Sequence, residues 1–234
     1  MAMSVAVAAA EVGAATPGEQ PAACNDDAMI VFDASGSMAG TDRLGITTMV
    51  TRIEKVRTAL GQVLPEVAPS RRIGLITYGP GPYNKCDNIH LDVEPAFNAA
   101  GPIMDAVKKL NPAGRTPLTA SVSEAAHVLR FKEKPAVIVV VTDGEETCGG
   151  APCTLAEDLR REGKQTTVHV IGYRVKDYSW TGDQAYQSKC LPEKTGGLYI
   201  SVQTSDELVA AFRKTLGCPY LTERDARDSP TAIN

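Results

Sequence analysis

Ile30-Val31-Phe32-Asp33-Ala34-Ser35-Gly36-Ser37-Met38 is the stretch from which the fold is first read. Apolar residues of strand character run into an aspartate, and serines follow at spacings of two and four. A strand that stops at Asp33 sets its carboxylate at the rim of a sheet. Gly36 then gives the backbone the freedom to turn both hydroxyls toward one point. One carboxylate and two hydroxyls are hard oxygen donors, the kind Mg²⁺ prefers. Standing alone, the string has an ordinary explanation: Ser35 and Ser37 cap the helix that follows, and Asp33 forms a turn.

Two later stretches change that weighting. Gly114-Arg115-Thr116-Pro117-Leu118 is a loop that supplies a further hydroxyl, and Val137-Ile138-Val139-Val140-Val141-Thr142-Asp143-Gly144 is a second apolar run ending in aspartate. Two buried parallel strands that each end in Asp place both carboxylates on one rim of an open sheet, where such folds bind ligands. With these elements the chain resembles the von Willebrand factor A (vWA) domain family over residues 27–218. Asp33-x-Ser35-Gly36-Ser37, Gly114-x-Thr116-Pro117-Leu118 and Thr142-Asp143-Gly144 match that family's metal-ion-dependent adhesion site, in order and with all the ligand positions present. The resemblance implies that Ser35, Ser37 and Thr116 bind a cation directly and that Asp33 and Asp143 bind it directly or through water. It also implies that an Asp or Glu from a protein partner completes the shell. The donor chemistry agrees: two carboxylates balance a divalent charge, neutral hydroxyls leave it electrophilic, and an octahedral ion of about six ligands keeps a position for an outside oxygen. Mg²⁺ is the expected ion, with Mn²⁺ or Ca²⁺ as alternatives. Glu145 and Glu146 read as solvated loop charges.

Outward from these motifs, strand and helix patterns alternate, the sign of an α/β chain. The expected architecture is a doubly wound, Rossmann-like, mostly parallel six-stranded sheet with one antiparallel edge strand and helices on both faces. Strands are expected at Ala28–Asp33, Arg72–Tyr78, Ala136–Asp143, Thr166–Gly172 and Gly197–Val202. Asn88–Val93 alternates and is the antiparallel edge. A helix is expected over Gly45–Leu64, from the stripe Ile46, Met49, Val50, Ile53, Val56, Leu60 and Val63. Others are expected near Pro95–Leu110, Leu118–Arg130 and Thr154–Glu162, from about Cys190, and after an N-cap at Ser205. Residues 1–26 read as a disordered leader or signal remnant, 27–218 as the domain, and 219–234 as a polar tail.

The chain of 234 residues is long enough for one sizeable α/β domain. A net charge of −4 gives no reason to expect nucleic acid or an anionic membrane as partner. No stretch approaches the roughly 20 apolar residues of a membrane-spanning helix. Six cysteines point to an oxidising compartment, secreted or periplasmic. Cys24 precedes the first strand and Cys218 follows the last helix, ends that approach each other in a doubly wound domain, so a Cys24–Cys218 bridge is expected. Proximity in Cys148-Gly149-Gly150-Ala151-Pro152-Cys153 favours a local Cys148–Cys153 bridge, which leaves Cys86–Cys190, although six cysteines permit other connectivities. Four thiolates at Cys86, Cys148, Cys153 and Cys190 would also suffice for zinc, but the Cys148-to-Cys153 spacing is longer than most zinc knuckles allow. The leader carries no basic start, and Pro21-Ala22-Ala23-Cys24 is only faintly similar to a lipobox, whose acylation would leave an odd thiol.

These readings converge on a protein-binding, adhesion-type module that captures a partner carboxylate through a divalent cation. The loop from Cys148 to Cys153 resembles bacterial vWA proteins more than animal integrins. An alternative is an accessory subunit that assembles or loads a metal enzyme, which would call for free thiols. A metal-assisted hydrolase is a further alternative, against which no nucleophile–histidine pair falls near the motif and Asp33 lacks the second aspartate of an aspartyl-phosphate enzyme. Tyr173, Tyr178, Trp180 and Tyr186 form either a recognition surface beside the metal or a loop packed on itself. His90, His127 and His169 share no motif and read as structural.

Overall fold

The computed structural model describes residues 24, 26–44, 48–174 and 187–218. Its core is a six-stranded sheet built from β1 (Asp27–Asp33), β4 (Ile73–Tyr78), β5 (Ile89–Ala96), β6 (Ala136–Thr142), β7 (Thr166–Tyr173) and β8 (Tyr199–Val202), in the order β5-β4-β1-β6-β7-β8. β5 is antiparallel to β4, and the remaining neighbours are parallel. The chain runs outward from β1 to β5 on one side and returns to start again at β6 on the other. The β1/β6 pair is therefore the point where the strand order reverses, and the crevice beyond its carboxyl ends is where an open α/β sheet offers a site.

Why β1 and β6 sit in the centre is visible in their side chains. β6 is buried along its whole length, and so is β1 beyond its first residue. Their alternate residues feed two separate cores. Ala28, Ile30 and Phe32, with Val137, Val139 and Val141, pack on one face against α1 (Arg52–Val67), α2 (Ala100–Lys109) and α6 (Ser205–Leu216). Met29 and Val31, with Ile138 and Val140, pack on the other against α3 (Leu118–Val128), α4 (Pro152–Glu162) and α5 (Cys190–Thr195). A continuous β-branched run with both faces covered is what a parallel strand requires.

The helix expected over Gly45–Leu64 is corrected. Residues Thr41–Leu44 (β2) and Thr48–Thr51 (β3) pair as an antiparallel two-stranded sheet, and α1 begins only at Arg52. Met49 is 67% exposed and takes no part in the helical stripe, whereas Ile53, Val56, Leu60 and Val63 are buried. Gly45 and Ile46 lie outside the described residues. A capping box sets the boundary: the Glu54 amide donates to Thr51 Oγ1, and the Thr51 amide donates to Glu54 Oε2 at 3.0 Å. The same device corrects the N-cap of α6, which is Thr204 paired with Glu207, while Ser205 is the first helical residue. Pro95 belongs to β5 rather than to a helix, and α2 starts at Ala100.

The disulfide expectations are borne out once and corrected twice. Cys24–Cys218 is present, while the other bridges are Cys86–Cys148 and Cys153–Cys190. Cys153 lies in the first turn of α4, beside the start of α5, whereas Cys148 belongs to the preceding loop and reaches the β4–β5 connection. With all six thiols paired, the zinc alternative falls, and among the described residues no group of three or more His, Cys, Asp or Glu side chains is placed to hold a metal. Next to Cys24–Cys218 the buried Arg71 pairs with Asp26 at 2.7 Å and donates to the Leu216 and Gly217 carbonyls at 3.0 and 3.2 Å. A guanidinium there satisfies carbonyls that α6 leaves open and suits the negative end of its dipole.

Among the described residues no helix is long and apolar enough to cross a membrane. Tyr173 is fully buried in the core with α6 and so belongs to no surface, while Tyr178, Trp180 and Tyr186 lie outside the described residues. His169 on β7 accepts the Leu198 amide at Nδ1 (3.0 Å), and burial, with the nearby Arg71 charge, lowers its pKa to about 4.

Candidate functional site

Each candidate residue reaches the sheet rim by a different local route. β1 ends at Asp33, whose side chain is fully buried, and the chain turns back at once because the Ser35 amide donates to Asp33 Oδ1 at 2.7 Å. Residues Gly36–Ala39 form a short 3-10 turn that raises Ser37 into solvent above the buried Ser35. Ser35 Oγ and Ser37 Oγ are 3.0 Å apart. Ser37 Oγ donates to Asp143 Oδ1 at 2.6 Å, and the neighbouring Thr142 Oγ1 donates to Asp33 Oδ2 at 2.6 Å. Hydrogen bonds thus run continuously from Asp33 through Ser35 and Ser37 to Asp143, across the β1/β6 switch point.

Thr116 joins through its backbone. Gly114 bridges to Ser35, its carbonyl accepts the Gly36 amide at 2.9 Å, and its own amide donates to the Gly79 carbonyl at 2.6 Å. The Thr116 amide donates to Thr147 Oγ1 at 2.8 Å, and the Thr147 amide returns a bond to the Thr116 carbonyl at 3.0 Å. The buried Thr116 is therefore held between the serine loop and the loop after Asp143.

Such close packing of backbones depends on two glycines. Gly79 has φ of 85°, and a Cβ there would fall 2.5 Å from the Ser35 nitrogen. A Cβ on Gly114 would fall 2.8 Å from the Gly79 carbonyl oxygen. Gly79 was not anticipated, although Gly79-Pro80 at the end of a strand is a turn signal that could have found it.

Glu145 and Glu146, expected to be solvated, are structural instead. Glu146 accepts the Thr119 amide at 2.8 Å and the Cys148 amide at 2.6 Å, and Glu145 accepts the Ser188 hydroxyl at 3.1 Å. They brace the rim, together with Cys86–Cys148 and Cys153–Cys190.

The electrostatics are those of a crowded anionic floor. Burial, followed by the charge of Asp143, pushes the Asp33 carboxyl up to about 6, against the opposing hydrogen bonds from Ser35 and Thr142. Tyr78, opposite Asp33 in the sheet register, has a fully buried hydroxyl that burial and the Asp33 charge push well above its ordinary pKa. That hydroxyl makes no hydrogen bond of good geometry. Arg52 Nη1 contacts Asp143 Oδ2 at 2.7 Å. Buried carboxylates facing each other favour a cation, and the surrounding donors are all hard oxygens, so the residue set fits an ion such as Mg²⁺.

A doubly wound sheet with this rim defines a class. The family profile of the von Willebrand factor type A domain matches residues 28–146, and the chain belongs to that family. The uncharacterized protein YwmD of Bacillus subtilis (strain 168) is 26% identical over 194 residues, covering 79% of this chain and 82% of the relative. The vWF domain of the type V pili tip protein Mfa5 from Porphyromonas gingivalis superposes with a TM-score of 0.59 at 11% identity, covering 91% of this chain and 99% of that one. The PilB minor pilin of Streptococcus sanguinis gives a TM-score of 0.59 at 15% identity, covering 84% and 61%. At these identities the two structural likenesses speak to fold.

Proposed function

We propose that this protein is a binding module that captures a protein partner through a divalent cation, Mg²⁺ by preference and Mn²⁺ or Ca²⁺ as substitutes. Asp33, Ser35, Ser37, Thr116 and Asp143 hold the ion, and an Asp or Glu of the partner completes its shell. The observation that carries this reading is the hydrogen-bonded run from Asp33 to Asp143, with the Thr116 loop stitched beside it at the switch point. Two carboxylates balance the ion's charge, neutral hydroxyls leave it electrophilic, and five side chains leave a coordination position that a partner carboxylate fills.

Three disulfides support a place outside the cytoplasm, secreted or periplasmic, and count against an accessory subunit working among free thiols. Folds shared with a pilus tip protein and a minor pilin support a role in surface interaction over catalysis. The oxidised protein, immobilised and exposed to extracellular proteins of its source, is expected to retain partners in Mg²⁺ and to release them in EDTA. Recovery of the same partners in both conditions would rule out capture through a cation.

A further inference from the structure

Arg52, the first residue of α1, carries no part of the motif, yet its Nη1 lies 2.7 Å from Asp143 Oδ2 while Oδ1 accepts from Ser37. One carboxylate is thus shared between a candidate donor hydroxyl and a positive charge supplied by the chain itself. The Asp143 side chain is fully buried and that of Arg52 is 27% exposed, so the pair is largely withdrawn from water and from salt screening. The arginine is also held in place. Its amide donates to the Gly40 carbonyl at 2.9 Å, and it follows the Thr51 cap directly. Gly40 lets the serine turn close beside it, since a Cβ there would fall 2.9 Å from the Ser37 carbonyl oxygen.

We propose that Arg52 is the resident counter-ion of the cation site, competing with the divalent ion for Asp143 and so setting the site's metal affinity. The proposal rests on the reading of Asp33, Ser35, Ser37, Thr116 and Asp143 as a cation site. Without a cation, the guanidinium offsets the mutual repulsion of Asp33 and Asp143, two buried carboxylates. When a divalent ion arrives, it draws on the same Asp143 and meets a like charge within a few ångströms. At the dielectric that suits protein sites, such a repulsion changes affinity by about tenfold or more. The hydroxyls of Ser35, Ser37 and Thr116 contribute no charge to offset it. Arg52 thereby keeps the metal-free domain stable and the bound ion exchangeable.

The test is calorimetric titration of Mn²⁺ into the oxidised parent and its Arg52→Gln, Arg52→Lys and Asp33→Ala variants, with melting of each protein followed with and without Mn²⁺. Arg52→Gln is expected to bind about tenfold more tightly or better, to melt lower without metal, and to gain more from Mn²⁺ than the parent does. Arg52→Lys, which keeps the charge, is expected to stay near the parent. Binding by Arg52→Gln where the parent is silent has the same meaning. Equal or weaker binding by Arg52→Gln overturns the proposal, since the arginine would then orient Asp143 rather than oppose the ion. If Asp33→Ala binds as the parent does, or if neither the parent nor Arg52→Gln binds, the cation-site reading itself fails.

Discussion

Gly79→Ala is expected to destabilise the domain by roughly 4 kcal/mol and to remove metal binding with it. Two independent costs combine at this position. The backbone there has φ of 85°, a region that a residue with a Cβ enters only under strain. The added methyl would also lie 2.5 Å from the Ser35 nitrogen and 2.7 Å from its Cα, contacts with backbone that no rotamer change relieves. Relief requires β1 and the serine turn to move away from Gly79, which breaks the close approach of Gly114 on the same side. Urea unfolding should show a much lower midpoint, and Mn²⁺ titration should show no saturable heat. A variant with the parent's midpoint would mean that the seam between Ser35, Gly79 and Gly114 is looser than described.

Replacing both Cys24 and Cys218 by serine is expected to cost about 4 kcal/mol. The bridge spans 194 residues of sequence and so restrains nearly the whole unfolded chain. The native contacts around it persist without it, because Arg71 holds Asp26, Leu216 and Gly217 together. The loss therefore arises in the unfolded state, and the urea m-value should rise as stability falls. A loss below about 1 kcal/mol would show that the Arg71 clamp, rather than the disulfide, closes the domain.

Much of this architecture was readable in the residues because burial on two faces leaves a plain trace. The runs ending at Asp33 and Asp143 are apolar without alternation, as strands covered on both sides must be, and the alternation at Asn88–Val93 marked the exposed edge. What failed did so where two periodicities overlap. Met49 and Val50 happen to continue the helical spacing of Ile53 and Val56, so the expected helix, Gly45–Leu64, takes in β3 and leaves its partner β2 unread. The correcting signal was present as Thr51-Arg52-Ile53-Glu54, a capping box that outranks the stripe, and Thr204-Ser205-Asp206-Glu207 repeats the lesson in α6.

The disulfide errors have a different origin. Nearness in sequence favoured Cys148–Cys153, but Pro152 starts a helix between them and turns the two sulfurs toward different neighbours. Of the site, the five oxygen-bearing residues were readable as separated motifs. The structural use of Glu145 and Glu146 was not, because their partners, the Thr119 and Cys148 amides and Ser188, are set by loop paths that composition does not encode. Arg52 was invisible for the same reason: its partner Asp143 is 91 residues away.

Asp33, Ser35, Ser37, Thr116 and Asp143 are proposed to act together on one divalent cation. Calorimetric titration of Mg²⁺ and Mn²⁺ into the oxidised parent, Asp33→Ala and Thr116→Ala tests this most directly, because Asp33 ends β1 while Thr116 belongs to the separate loop before α3. A saturable heat in the parent that is lost in both variants is the expected result. Variants that bind either metal as the parent does would mean that these residues do not hold the ion.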